Sequence, residues 1–312
     1  MGQDTEIQYL VVVKHPIHMS NIVKNYEKVL EVLNTLELPI NQQVIAGRKP
    51  KMSDIEVVAL SLTAEYMSID SENSLFKKLQ SEPVANLIER SQYNKRRRKL
   101  FEFAESVRVH LYTRFNEFED YFVIDSMPLE ICKMARHTRV KVCREVFETA
   151  PDKGFCASQN NWFFGYKLHG VCAVSGVFQS IDLTKASVHD IHLLKEIKTQ
   201  ISDCVLLVDK GYLSTTMQLD LFESANITLE TPKRANQKDY KKQPYIFRKT
   251  RKRIETLFSQ LCDQFMIRRN YAKTFNGFKT RILAKITSLT LIQYMNKFIF
   301  GRPINNIKIQ II

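Results

Sequence analysis

Two aspartates each close a short apolar run: Tyr121-Phe122-Val123-Ile124 leads into Asp125, and Val205-Leu206-Leu207-Val208 leads into Asp209. Runs this short, rich in β-branched residues, read as buried strands. A carboxylate just past the C-terminal end of such a strand points into the crevice where open α/β sheets place their reactive groups. If the two strands are neighbours, the carboxylates stand a few ångströms apart, and two anions at that distance are tolerated best with a cation between them. Mg²⁺ fits an all-oxygen donor set. Glu255 supplies a third oxygen ligand: it is the only acidic residue of an amphipathic segment before Asp263, and it adjoins that segment's apolar stripe through Ile254, so it can face the sheet. Taken singly, each acid is more often a solvated loop or helix-surface group. Together they point to metal-assisted chemistry.

The elements that must position these acids are legible in outline. Residues 1–18 fit nothing that follows, whereas Met19-Ser20-Asn21 offers a helix cap before Ile22, Val23, Tyr26, Val29, Leu30 and Leu33 at helical spacing, so Met19 is read as a natural start. Ser53-Asp54-Ile55-Glu56 is a capping box, another capped segment opens near Ser71, and residues 100–115 carry Leu100, Phe103, Val107 and Leu111 at helical spacing. The first 115 residues therefore read as all-helical. Beyond them the strand ending at Asp125 is followed by a polar connection, then by two strands flanking a Ser175-Gly176 turn. A helix over 188–201, the strand ending at Asp209, a helix from Ser214 and a short strand at 227–229 come next. That order predicts a mixed sheet covered by helices. Ile254, Leu257, Phe258, Leu261 and Phe265 form one stripe of a helix over 248–265, and 275–300 forms a closing helical region.

Composition narrows the partners. The 312 residues carry 46 Lys plus Arg against 33 Asp plus Glu, a formal charge of +13, which favours a polyanion. The longest apolar stretch, 282–300, is interrupted by Lys285, Gln293, Asn296 and Lys297, as no bilayer span would be. The run 10–13 is too short for a signal peptide, and the six cysteines form no C-x-x-C pair, so reduced thiols and a cytoplasmic setting are expected. Lys95-Arg96-Arg97-Arg98-Lys99 is a cationic block read as the lead-in to a helix and as a phosphate contact. From 231 to 270 there are 12 Lys plus Arg against 3 Asp plus Glu; Arg248, Arg251, Lys252 and Glu255 share one helix face, and cations beside a metal carboxylate favour a phosphodiester substrate. Tyr240 and Tyr245 read as packing on their loop rather than stacking on bases. A rival constellation is a metallohydrolase built on His169, His189, Asp190 and His192, for which no further ligand pair is evident. Gly165 and Gly170 have Walker spacing, but Val171-Cys172 replaces the phosphate-binding Lys-Ser/Thr, which excludes an ATP site.

The acids sit in longer motifs. Ile124-Asp125-Ser126-Met127-Pro128, Phe164-Gly165-Tyr166-Lys167-Leu168-His169, residues 183–190, Val208-Asp209-Lys210-Gly211-Tyr212 and Arg253-Ile254-Glu255-Thr256-Leu257-Phe258 together resemble, in order and spacing, the DDE transposases of bacterial insertion sequences. The resemblance spans about 120–269. It implies an RNase H-like catalytic domain over 118–270, a helical DNA-recognition region over 19–117, a C-terminal helical region over 271–312 packing on the catalytic domain or on a partner, and 1–18 as an extension outside the domains. It implies Asp125, Asp209 and Glu255 as catalytic ligands of two Mg²⁺ ions, replaceable by Mn²⁺, that cut element ends and transfer them into target DNA. Lys95, Arg96, Arg97, Arg98, Lys99, Lys210, Lys233, Arg234, Arg248, Arg251 and Arg253 are the expected DNA contacts, and a nucleoid-associated homodimer on paired double-stranded ends is the expected assembly. Many relatives carry Tyr, Arg, Glu and Lys in fixed steps on the last helix. Here Arg251 stands four before Glu255, but Arg248 occupies the Tyr position and Cys262 the Lys position. The alternative within this reading is a transposase-derived DNA-binding protein without catalysis.

Overall fold

Polar caps and apolar stripes set the N-terminal helices. The computed structural model describes residues 21–38, 49–115, 119–209, 212, 214–231, 244–308 and 311; the expected 1–18 extension and the Met19-Ser20 cap lie outside the described residues. Helix α1 (Asn21–Thr35) buries Ile22, Val23, Tyr26, Val29 and Leu33. Helix α2 (Asp54–Tyr66) starts at a capping box in which the Ser53 hydroxyl accepts from the Glu56 amide and the Glu56 carboxylate accepts from the Ser53 amide. Ser71 caps α3 (Glu72–Leu79). The cationic block is not a lead-in: it forms the second half of α4 (Arg90–Lys99), because Lys and Arg are good helix formers and nothing breaks the run before Leu100. At Leu100 the chain turns into α5 (Phe101–Thr113).

The sheet follows the expected order with one addition. Strand β1 (Tyr121–Cys132) continues past Asp125, so that residue lies within the strand rather than at its end. Strand β2 (Asp152–Cys156), read from the sequence as part of a polar connection, pairs with the first residues of β3 (Asn161–Ala173). Gly176, at φ +89°, turns β3 into β4 (Phe178–Lys185). The helix expected over 188–201 is shorter, a 3₁₀ turn at Asp190–His192 followed by α6 (Leu193–Ile197). Then come β5 (Cys204–Leu207), α7 (Thr215–Ala225) and β6 (Ile227–Glu230). The sheet order is β2-β3-β1-β5-β6, with β4 on the same edge of β3 as β2. β3 is antiparallel to both β1 and β4, whereas β5 and β6 run parallel to β1. This is the RNase H-like arrangement, a mixed α/β sheet with helices leading into it.

Parity along β1 divides the sheet's two cores. Val123, Met127 and Leu129 pack with Ile254, Leu257, Phe258 and Leu261 of α8 (Tyr245–Asp263), while Phe122 and Ile124 pack with α6 and Leu221 of α7. Asp125 therefore shares the α8 face, and Ser126 the opposite one.

Helix α9 (Phe275–Tyr294) is buried from Gly277 to Gln293 almost without interruption: one side joins the N-terminal core and the other the core under α8. The apolar positions Phe278, Ile282, Leu283, Ile286, Leu289, Leu291 and Ile292 are thus consumed inside the chain. Its charged residues meet Glu65 of α2, which is 1% exposed: Arg281 Nε donates to the carboxylate at 3.1 Å, Lys285 Nζ at 2.5 Å, and Arg97 stands 3.7 Å away. Arg281 also donates to the Ile69 carbonyl and Lys285 to the Phe265 carbonyl. Burial pulls Lys285 below the ordinary lysine pKa despite the Glu65 charge that opposes it. Among the described residues no helix is long and apolar enough to cross a membrane.

Removing one partner of a buried ion cluster leaves uncompensated charge at a cost of about 3–5 kcal/mol. Glu65→Gln should lower unfolding free energy in urea by that amount, with Glu65→Gln/Lys285→Met recovering part of it; a loss under about 1 kcal/mol would contradict this role.

Candidate active site

The parallel ladder between β1 and β5 places the two aspartates together. Its last pair is Val123 with Leu207; Asp125, still within β1, and Asp209, just past the end of β5, each lie two residues beyond that pair. On its other side Asp125 is paired with Gly170 of β3. A Cβ at Gly170 would come within 2.6 Å of the Phe178 ring and 3.5 Å of the Phe258 ring, so glycine lets α8 close down beside the carboxylate.

Helix α8 brings the third acid and a cation. All five residues of its expected stripe are buried. Arg251 Nη2 stands 3.2 Å from Asp209 Oδ1, and Glu255, one turn further along, is exposed. Asp125 accepts the Ser126 amide at 2.8 Å. Its pKa is pushed up to about 6, first by burial and further by the negative charges of Asp209 and Glu255, while the Ser126 amide and Arg251 oppose the rise. Asp125 thus lies within the field of both other acids, and Arg251 is the counter-charge beside it and Asp209. The donor set suits a hard divalent cation. Among the described residues, no three acidic, histidine or cysteine side chains stand close enough to enclose one.

Behind Asp125, on the opposite face of β1, a second polar group supports it. Lys167 donates to Asp190 at 2.8 Å, and the Ser126 hydroxyl donates to the same carboxylate at 3.1 Å. Tyr212 is buried nearby, its hydroxyl pKa raised by burial and by the charges of Asp190 and Asp125. Lys167, Ser126 and Tyr212 were not assigned roles from sequence, although the two-residue parity of β1 and β3 puts Ser126, Lys167 and His169 on one face. The rival histidine constellation does not assemble. His169 is buried against the Thr184 hydroxyl at 2.8 Å, with its pKa lowered by burial, His189 accepts the Ile191 amide, and Asp190 is held by Lys167.

The expected DNA contacts divide. Lys95 and Lys99 are exposed and, with Arg98 and Asn276, line a shallow groove of about 340 Å³. Arg96 is tied to Asp54 and to the Met52 carbonyl. Arg97 is turned inward: it is buried, donates to Glu72 at 2.6 Å and lies over the Tyr93 ring, so it holds the helices together instead of meeting phosphate. Arg248 is exposed, Arg251 holds Asp209, and the stem of Arg253 lies against the Gly176 turn. Lys210, Lys233 and Arg234 lie outside the described residues, as does Tyr240.

A mixed sheet of this order, with one acid on its first strand and another just past the end of the adjacent parallel strand, defines an RNase H-like protein. The chain belongs to the transposase DDE domain family, whose model matches residues 117–291. Among solved structures it is similar to the Mos1 transposase paired-end complex with left transposon end, at 12% identity over 80% of this chain and 81% of that one, TM-score 0.23. It is also similar to the Mos1 mariner paired-end complex with Mn, at 10% identity over 90% and 89%, TM-score 0.21. No curated protein matches it.

The raised Asp125 pKa has a cost in stability. A carboxyl group raised from 3.8 to about 6 favours the fold fully below 3.8, and that contribution is lost as pH rises through 6. Without divalent ions, Asp125→Asn should therefore be more stable than wild type at neutral pH by about 3 kcal/mol and equal to it near the unfolded carboxyl pKa. Chemical denaturation in EDTA at the two pH values measures this, and a destabilised variant at neutral pH would refute it.

Proposed function

We propose that this transposase cuts the ends of an insertion sequence and joins them to target DNA, with Asp125, Asp209 and Glu255 as its catalytic acids. The observation that carries the reading is that Asp125 and Asp209 each follow the last pair of the β1–β5 ladder by two residues, with α8 bringing Arg251 to Asp209 and Glu255 into the same field. Mg²⁺ or Mn²⁺ held by these acids would supply Lewis-acid stabilisation of the phosphoryl oxygens and an activated nucleophile. The chain's own residues do the rest. Arg251 orients Asp209, and the Ser126 amide orients Asp125. Arg248 and Lys252 lie on the exposed side of α8 and attract the phosphodiester toward the acids, while Lys95, Arg98 and Lys99 hold more distant phosphates. Water, and then a 3′-hydroxyl, attacks in line with the leaving oxygen.

Neutral isosteres test the acids directly. Asp209→Asn and Glu255→Gln should abolish metal-dependent cleavage of end-bearing DNA while leaving its binding nearly intact; full cleavage by Asp209→Asn would sink the assignment.

An element has two ends and one chain supplies one set of acids, so two protomers act together. Mixing Glu255→Gln protein with wild type on paired-end DNA should reduce double-end cleavage more steeply than the wild-type fraction, and strict proportionality would show that monomers suffice.

A further inference from the structure

The connection between β1 and β2 carries Lys133, Arg136, Arg139, Lys141 and Arg144, all exposed. Between Lys133 and Arg144 there is no acidic residue. None of the five stands within ion-pair distance of a carboxylate among the described residues. The segment is nevertheless built into the fold. Cys143 is fully buried and its amide donates to the Lys273 carbonyl at 2.8 Å. Arg144 donates to the His137 carbonyl and lies over the Phe164 ring, against which the His137 ring also packs. An open groove of about 630 Å³ is lined by Arg139, Lys141, Arg144 and Lys273. Its one acid, Glu145, is committed to the Phe275 amide at the start of α9.

Unpaired cations fixed around a groove raise the local potential, and a duplex laid across them gains by releasing condensed counterions. The position is defined as well. Val142 and Cys143 pack into the core on the α8 face of the sheet, the face that Asp125 shares. Arg136 and its neighbours begin just after Cys132, seven residues beyond Asp125 on β1. Seven residues of strand span roughly 23 Å, which is the length of roughly seven base pairs.

We propose that this connection is a second duplex-binding surface, gripping the phosphate backbone of double-stranded DNA about seven base pairs from the reacting phosphodiester without reading its sequence. The distance rests on Asp125 marking the reaction centre, as proposed above; the binding surface itself does not.

The test measures affinity against salt for the full chain in EDTA, on a long random-sequence duplex and on an end-bearing one. Arg136→Ala/Arg139→Ala/Lys141→Ala should flatten the plot of log affinity against log salt by roughly 2–3 on both duplexes, and Arg139→Ala alone by roughly 1. Arg136→Lys/Arg139→Lys should keep the wild-type slope. Duplexes ending less than about seven base pairs from the cut, on either side, should bind wild type and triple variant alike. Unchanged slopes, or a loss confined to one sequence, would overturn the surface. Equal discrimination on long and truncated duplexes would overturn its position. Because the slopes are measured without metal, separate detection of cleavage by Asp209→Asn in Mg²⁺ would remove the proposed catalytic acids without touching the slope result.

Discussion

Glu65 is the buried anion that ties the N-terminal core to α9 and so to the core under α8. A helix buried along most of its length, as α9 is, has to find partners for its charged and polar groups within the protein. Arg281 and Lys285 do so through Glu65 on α2, Ser288 through the Leu62 carbonyl, and Gln293 through the carbonyl of Gly176 at the β3–β4 turn. Arg108 of α5 adds a link of the same kind, donating to the carbonyls of Phe178 and Gln179. The leading helices are therefore coupled to the sheet through specific charged and polar partners, which fixes where the α4 groove sits relative to the acids on β1 and after β5.

Much of the catalytic fold was legible because buried strands advertise themselves. The runs at 121–124 and 205–208 are apolar on both faces, as strands flanked by helices must be. The i, i+3, i+4 stripe of α8 predicted which side meets the sheet, and all five residues are buried. The extent of β1 was not legible. Its apolar run stops at Asp125 because β5 stops beside it, while pairing to β3 continues to Cys132 with a mixed pattern of buried and exposed residues. β2 pairs only with β3 and exposes most of its side chains, so no alternation marked it.

Charge was read with the right sign but without its partners. Arg97 lies in a block of five cations, and nothing nearby in sequence reveals that Glu72 and Glu65 receive it from other helices. Arg251 shares a helix face with Glu255, yet its carboxylate is Asp209 on another element. The cations from Lys133 to Arg144 form a run free of acids, but no helical or strand periodicity in that run reveals that it is anchored to the fold.

The alternation along β1 also governs how the gene can vary. A strand that alternates between two cores has no neutral insertion: one codon gained or lost between Tyr121 and Asp125 would send the carboxylate to the α6 side and Ser126 to the α8 side. Asp125 itself would survive and still be lost from the crevice. The connection after Cys132 carries no such phase, so length differences among related genes belong there, and alignments that place a gap within 121–125 would describe a different protein.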